Sequence, residues 1–446
     1  MRALIPAALS QSPDGLLHMP GADLTSWSAL LKEDYAPMIQ NELSEENPIQ
    51  AFMAEELADD SWTGKEKYIP VKLGRNWSVG SIGTGGAIPP KGRAKYDKFL
   101  VTMKDVYGAV GFERYVMEQS RSKKGSWAYV VPQEMSGLVD DLAFSRNRIA
   151  WGYGSGILAL LSGSHSNTTT LTLKNPGNVT GTTMPNRYIF GDATSGMTVA
   201  ITDTSGNIQG TGTITAISSN GNTATIDTPI TGSDGYYVVL AQSAVQTSYN
   251  NEPEGLLAGV DDGTYVGTYH NLSRTTYPIL QSPVFSSVGP LSADAIQQWI
   301  DSVAIKVSKT VDMFLAELGV LRAYLVLTEL DRRYTGADLM RPDAGSARAK
   351  KPTGSKARIT YGDIPFFGDR DGPYGSMFGI NKASWVRYVL NKGKWADDDG
   401  HTIRWVPGFD QWQAFYFLLE NYHCQASARN FRADGITTNQ VLIHSY

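Results

Sequence analysis

The chain has 446 residues and one cysteine, Cys424, so no disulfide can form within it. That fits a reducing compartment better than a secreted, cross-linked scaffold. A lone cysteine reads as a small buried apolar residue rather than a nucleophile. No apolar run reaches the roughly 18–20 residues of a membrane-spanning helix. Met1 to Ser10 has the outline of a short leader, but Pro6 interrupts it, and it reads as an ordinary N-terminal arm. The six histidines (His18, His165, His270, His401, His423, His444) are scattered without HxxxH or HxH spacing, so no zinc site is legible. No GxxxxGK[ST] and no GxSxG is present, which removes the P-loop ATPases and the nucleophile-elbow hydrolases. Asp369-Arg-Asp-Gly372 and Asp397-Asp-Asp-Gly400 lack the closing glutamate of a calcium loop and read as turns. The expectation is a non-enzyme with no catalytic residue, cofactor or metal.

What is present is a core-forming composition with uneven charge. Hydrophobic residues make up 41% of the chain, enough to exclude wholesale disorder. The net charge is −5. Residues 1–60 hold eleven Asp/Glu and two Lys/Arg, a balance of −9, while residues 61–107 hold nine Lys/Arg and three Asp/Glu, a balance of +6. Adjacent blocks of opposite sign can pair within the chain or across a subunit boundary; the plain alternative is two solvated faces. A mildly acidic chain is not a general nucleic-acid binder.

Several pieces follow one another along the chain. Ile49, Phe52, Met53 and Leu57 have the spacing of one helical face. Tyr68-Ile-Pro-Val-Lys-Leu73 and Lys98-Phe-Leu-Val-Thr-Met-Lys104 read as strands of a hairpin around a Gly/Pro-rich tip, Gly80 to Pro90. An isolated two-stranded hairpin is marginal in water, so such an arm needs another surface to lie on. Met135, Leu138, Val139, Leu142 and Ile149 recur at helical spacing, so a long helix is expected from near Pro132 to Trp151. Gly152-Tyr-Gly-Ser-Gly156 follows it and reads as a helix stop; a phosphate loop would follow a strand.

Residues 163–248 then change character, with nineteen Thr and six charged residues. Short strand-like runs separated by turn signals at Ser205-Gly-Asn207 and Ser219-Asn-Gly-Asn222 predict a small all-β barrel or sandwich. Beyond it, Ser292 caps a helix with the stripe Ile296, Trp299, Ile300, Val303 and Val307. Tyr324-Leu-Val-Leu-Thr328 reads as a buried strand, Arg341 to Arg358 as a basic loop, and Gln411 to Leu419 as strand.

In this order the pieces resemble the major capsid proteins of tailed bacteriophages, the Hong Kong 97-type capsid fold. The resemblance is carried by Gly108-Ala-Val-Gly-Phe-Glu-Arg-Tyr-Val116, by Gln133-Glu-Met-Ser-Gly-Leu-Val-Asp-Asp-Leu142 and by Gly152-Tyr-Gly-Ser-Gly156. Glu252-Pro-Glu-Gly-Leu-Leu257 and Ile364-Pro-Phe-Phe-Gly-Asp369 follow in the matching places. It implies an α+β fold with an N-terminal arm (1–64), an E-loop hairpin (65–107), a peripheral-domain spine helix (108–162), an inserted β-rich domain (163–248), a mainly axial domain (249–400) and closing peripheral strands (401–446). It implies a structural, self-assembling protein of the virion. Hexamers and pentamers would close an icosahedral head around double-stranded DNA, assembled in the host cytoplasm, without sequence-specific DNA binding and without a membrane. Scaffolding, portal and decoration proteins are the further partners it suggests. The basic hairpin residues Lys91, Arg93, Lys95 and Lys98 would lie over a neighbour, with Asp140 and Asp141 of the long helix, or the N-terminal arm, as the acidic counterpart. Two rival readings are an encapsulin-like nanocompartment shell, which shares the fold but holds protein cargo, and a secreted β-rich adhesin or glycan-binding protein.

Overall fold

A computed structural model describes residues 49, 53–57, 66–120, 130–174, 188–193, 196–219, 221–243, 245–335, 359–397 and 401–438. Most of the N-terminal arm, Phe52, the basic loop Arg341 to Arg358 and residues 398–400 of the second acidic turn lie outside them.

Among the described residues, two larger open sheets and one closed barrel carry most of the strands, beside two two-stranded sheets. The five-stranded sheet runs Ala54–Leu57, Trp385–Trp395, Gln411–Cys424, Ile403–Trp405, with Lys104–Glu113 also paired to Gln411–Cys424. The six-stranded sheet runs Val284–Phe285, Phe431–Ala433, Met377–Ile380, Met313–Glu317, Ile364–Asp369, Ile359–Tyr361. The aromatic run Gln411 to Leu419 is therefore a strand, flanked by partners along its length. The Ser292 hydroxyl accepts from Ala295 N at 3.1 Å and starts the helix Ala293–Val307, whose Ile296, Trp299, Ile300 and Val303 are buried on the six-stranded sheet's core.

The long helix is Val130–Trp151. It lies close on strand Lys104–Glu113, because a Cβ at Gly108 would stand 2.9 Å from Leu138 Cδ1. Two ion pairs fix its C-terminal half. Arg146 Nε donates to Glu420 Oε1 at 2.6 Å, with a second contact through Nη2, and Arg148 grips Glu252. The turn Asp369-Arg-Asp-Gly372 receives the end of the same helix: Trp151 Nε1 donates to Asp369 at 3.0 Å and Asn147 Nδ2 to Asp371 at 2.7 Å. At the junction of the two main cores, the buried Asp261 carboxylate accepts from Arg432 at 3.1 Å and from Arg274 at 3.4 Å. A buried carboxylate is tolerated only with such partners.

Six antiparallel strands close the barrel in the order Tyr237–Leu240, Ile157–Leu161, His165–Lys174, Thr223–Gly232, Ile208–Ile217, Thr198–Thr202. Alternate residues such as Leu171, Leu173, Val199, Ile201, Ile214 and Ile226 fill its interior, as the two-residue period of a strand requires. The first strand precedes the change of composition at 163. Ile157–Leu161 is buried on both faces, so it carries none of the Thr-rich polarity of the others.

Two further sequence expectations are corrected. Leu57 is not on a helix with Ile49: residues 54–57 form a strand parallel to Trp385–Trp395, although Ile49 and Met53 are both buried. Tyr324 to Thr328 is not a strand but part of the helix Leu318–Thr335, and the buried strand is the preceding Met313–Glu317. Val320, Leu321 and Tyr324 face the core while Val326 is exposed. A five-residue apolar run leaves helix and strand undecided by periodicity.

Candidate assembly surface

The hairpin pairs Glu66–Gly74 with Lys95–Thr102. Only its base is anchored: Leu73, Phe99 and Val101 are buried, Leu73 and Phe99 in the core that also holds Trp151, Tyr269 and Trp385. Two imidazoles lie under this base. The His270 and His423 ring centroids are 4.9 Å apart, and Phe99 stands edge-on to His423, also at 4.9 Å. Neither His423 nitrogen has a hydrogen-bond partner. Burial lowers the His270 pKa to about 3 and pushes His423 well below its ordinary value. His270 Nδ1 is 3.2 Å from Glu254 Oε2, but the imidazole is neutral, so this is not a charged pair. Scattered in sequence, these histidines are brought together where the Thr268–Ser273 turn packs on strand Gln411–Cys424, Cys424 N donating to the Tyr269 hydroxyl at 2.9 Å.

Beyond the base the hairpin is bare. Residues 75–94 form no strand. Asn76 clips the two arms together, its Nδ2 donating to Gly92 O at 3.2 Å and its Oδ1 accepting from Ser78 N at 3.0 Å. The tip exposes Trp77 (85%), Val79 (89%) and Ile88 (83%), with Ile82 half exposed. Sequence reading took this segment for a Gly/Pro turn and missed those side chains; four large apolar residues in a polar, Gly-rich loop were the available signal.

The basic residues divide into two pairs. Lys95 Nζ lies over the Tyr277 ring at 4.5 Å and Lys98 Nζ over the Tyr68 ring at 4.1 Å, so both are engaged by their own chain. Lys91 and Arg93 are exposed, and no hydrogen bond or ion pair joins them to another described residue. Asp140 and Asp141 are exposed on the long helix. Burial, and then the charges of Asp140 and Glu134, raise the Asp141 pKa. Among the described residues no ion pair joins Lys91, Arg93, Lys95 or Lys98 to Asp140 or Asp141. Cys424 is buried, with its thiol pushed up to about 11 by burial. Among the described residues no group of three or more His, Cys, Asp or Glu could hold a metal ion, and no helix is long and apolar enough to cross a membrane.

This architecture is similar to that of solved capsids. The cyanophage A-1(L) capsid protein is 12% identical with a TM-score of 0.55, the match covering 94% of this chain and 100% of that one. The capsid of the native GTA particle is 8% identical with a TM-score of 0.50, covering 93% and 99%. The SrpI encapsulin of Synechococcus elongatus is 9% identical over 96% of this chain and 99% of that one, with a TM-score of 0.43. No family model matches the sequence, and no curated protein matches it. The chain has the fold of a phage capsid protein, the class that its motifs already resembled.

Proposed function

We propose that this chain is the structural subunit of a phage head, a major capsid protein and not an enzyme. Its copies form hexamers and pentamers that close into an icosahedral shell around double-stranded DNA, and its place is the virion. In this reading Glu66–Thr102 is the E-loop, Val130–Trp151 the spine helix, the five-stranded sheet the peripheral domain and the six-stranded sheet the axial domain. The barrel is an insertion. Scaffolding, portal and decoration proteins complete the list of partners.

One observation carries the reading: a hairpin anchored only at its base presents Trp77, Val79 and Ile88 to solvent. Leaving large apolar side chains in water forgoes roughly 1.5–3 kcal/mol each compared with burying them. A neighbouring copy covers them, and Lys91 and Arg93 then meet acids of that neighbour. Many such contacts, each weak, give a durable shell through multivalency.

Particle contents test the assignment. Nuclease-treated particles from infected cells are expected to yield protected double-stranded DNA. Particles holding a single packaged protein and no DNA would replace the phage head with a nanocompartment.

A further inference from the structure

Few bonds hold the root of the hairpin to the body. Its two strands pair with each other in a sheet of their own. Among the described residues one backbone hydrogen bond ties them to the rest of the chain, Leu100 N donating to His270 O at 3.0 Å. The Tyr277 hydroxyl donates to Asp97 at 3.4 Å, and Asn421 Nδ2 to Thr102 O at 2.8 Å. The rest is apolar contact centred on the buried Phe99, edge-on to His423 at 4.9 Å and to His270 at 6.4 Å.

Two imidazoles are a poor material for such a contact. Both His423 nitrogens and His270 Nε2 are buried without a hydrogen-bond partner. An unpaired buried polar atom costs stability that an apolar ring of similar size does not. His270 also stands in the left-handed region, at φ +44°, and Asn271 follows at φ +72°. A two-residue turn of this kind favours Asn-Gly, so a histidine there is held under strain. Both features work against packing and suit a group that responds to protons.

The surrounding groups set the direction of that response. Lys67 of the hairpin acts on His423, and Arg274 and Lys104 act on His270, all disfavouring a proton. Tyr269 and Tyr388 stack on His423 and carry no charge. A backbone hydrogen bond with Tyr422 favours the His270 proton, but burial outweighs it. Among these groups the one acid is Glu254, 3.2 Å from His270 Nδ1. Burial raises its own pKa, so it holds a proton more readily than it offers a countercharge.

We propose that the hairpin root is an acid-released latch: protons on His270 and His423 free strands Glu66–Gly74 and Lys95–Thr102 from the body while the sheets and the barrel stay folded. This is a property of the single subunit and does not rest on the shell reading. Once the root lifts, both rings are hydrated and titrate near about 6.5; in the closed root they refuse the proton. Each ring therefore favours the open root about tenfold more at pH 5.5 than at pH 7.5. Glu254 works in the opposite sense where opening lets it ionise.

Hydrogen exchange of the unassembled full-length subunit at pH 7.5, 6.5 and 5.5, corrected for the intrinsic rate, tests the latch. Opening of residues 95–102 is expected to rise by up to about a hundredfold from pH 7.5 to 5.5, while residues 157–161 and 198–202 of the barrel hold steady. Glu254→Gln removes the opposing group and is expected to bring the rise to its full value. His423→Phe and His270→Asn, the latter keeping a residue that tolerates the left-handed region, are each expected to cut it about tenfold. Thermal melts at pH 7.5 establish that each variant folds, and the unaltered chain decides the matter if one does not. A root that opens no more at pH 5.5 than at 7.5, in the unaltered chain and in Glu254→Gln alike, overturns the proposal. So does a rise shared equally by hairpin and barrel, or one that survives both histidine substitutions.

Discussion

The Arg148 guanidinium holds the Glu252 carboxylate with both terminal nitrogens, Nη1 donating to Oε2 at 3.1 Å and Nη2 to Oε1. Arg148 stands in the last turn of the long helix and Glu252 on the segment that returns from the barrel. The pair therefore ties together the points where the chain leaves the body and comes back. Both side chains are largely buried. Removing one partner strands the other charge in a poorly hydrated place. Arg148→Ala is expected to cost about 2–4 kcal/mol, somewhat less than a fully buried pair. Hydrogen exchange should localise the loss to residues 152–156 and 248–252; a denaturation midpoint like that of the unaltered chain would assign the pair no such role.

Two left-handed glycines differ in kind, Gly156 at this crossing and Gly235 in the barrel turn between Thr223–Gly232 and Tyr237–Leu240. Gly156 has φ +70°, and a Cβ there would stand 2.2 Å from Ser248 O. Gly235 has φ +80° with nothing within 4 Å of its would-be Cβ. Gly235→Ala carries only left-handed strain, about 1–2 kcal/mol. Gly156→Ala adds a backbone collision and is expected to be worse by at least about 1 kcal/mol. Equal thermal shifts for the two variants would show that the crossing has slack.

The buried histidines make stability depend on pH. His270 titrates near 3 in the folded chain and His423 is likewise lowered, against about 6.5 when unfolded. Below pH 6.5 the unfolded chain takes up protons that the folded chain refuses. Stability therefore falls as pH drops from 6.5 towards 3, by up to about 1.4 kcal/mol per pH unit for each ring. His423→Phe removes one of these rings and two unpartnered nitrogens. It is expected to flatten the slope and to leave the protein at least as stable at pH 7. Urea titrations at pH 7.5, 6.5 and 5.5 report it, and an unaltered slope would mean that the His423 ring does not titrate in this window.

Asn76 is expected to matter for assembly and not for folding. Its contacts lie wholly within the exposed tip. Asn76→Ala should leave the melting of the unassembled subunit within about 0.5 kcal/mol of the original. It should slow shell formation, because a loosened tip pays more ordering entropy on docking. Light-scattering kinetics that match the unaltered protein would remove the tip from the rate-limiting contact.

Much of the fold was legible because its signals are local. The stripe from Met135 to Ile149, the Ser292 cap and the alternating runs around Leu171, Ile201 and Ile226 each specify an element within a few residues. The failures share a cause, since tertiary placement decided them. Tyr324 to Thr328 reads equally as helix or strand, and Leu57 entered a sheet edge offered by Val389, far along the chain. Ile157–Leu161 joined the barrel despite an apolar composition unlike that of its partners. Of the candidate assembly residues, the charge segregation picked out Lys91 and Arg93, but it could not separate them from Lys95 and Lys98. That distinction rests on Tyr277 and Tyr68, whose rings reach the two lysines only in the folded hairpin. The histidine pair had no sequence signal, because His270 and His423 meet only where the turn joining Thr268–Tyr269 to Leu272–Ser273 packs on strand Gln411–Cys424.

The measurement that bears most directly on the account is electron cryomicroscopy of the purified full-length protein under assembling conditions. Closed, hollow particles built from rings are predicted, with every hairpin crossing onto the adjoining subunit and Trp77 out of solvent. A uniform population of single subunits, each with its hairpin folded back over its own sheet, would contradict it.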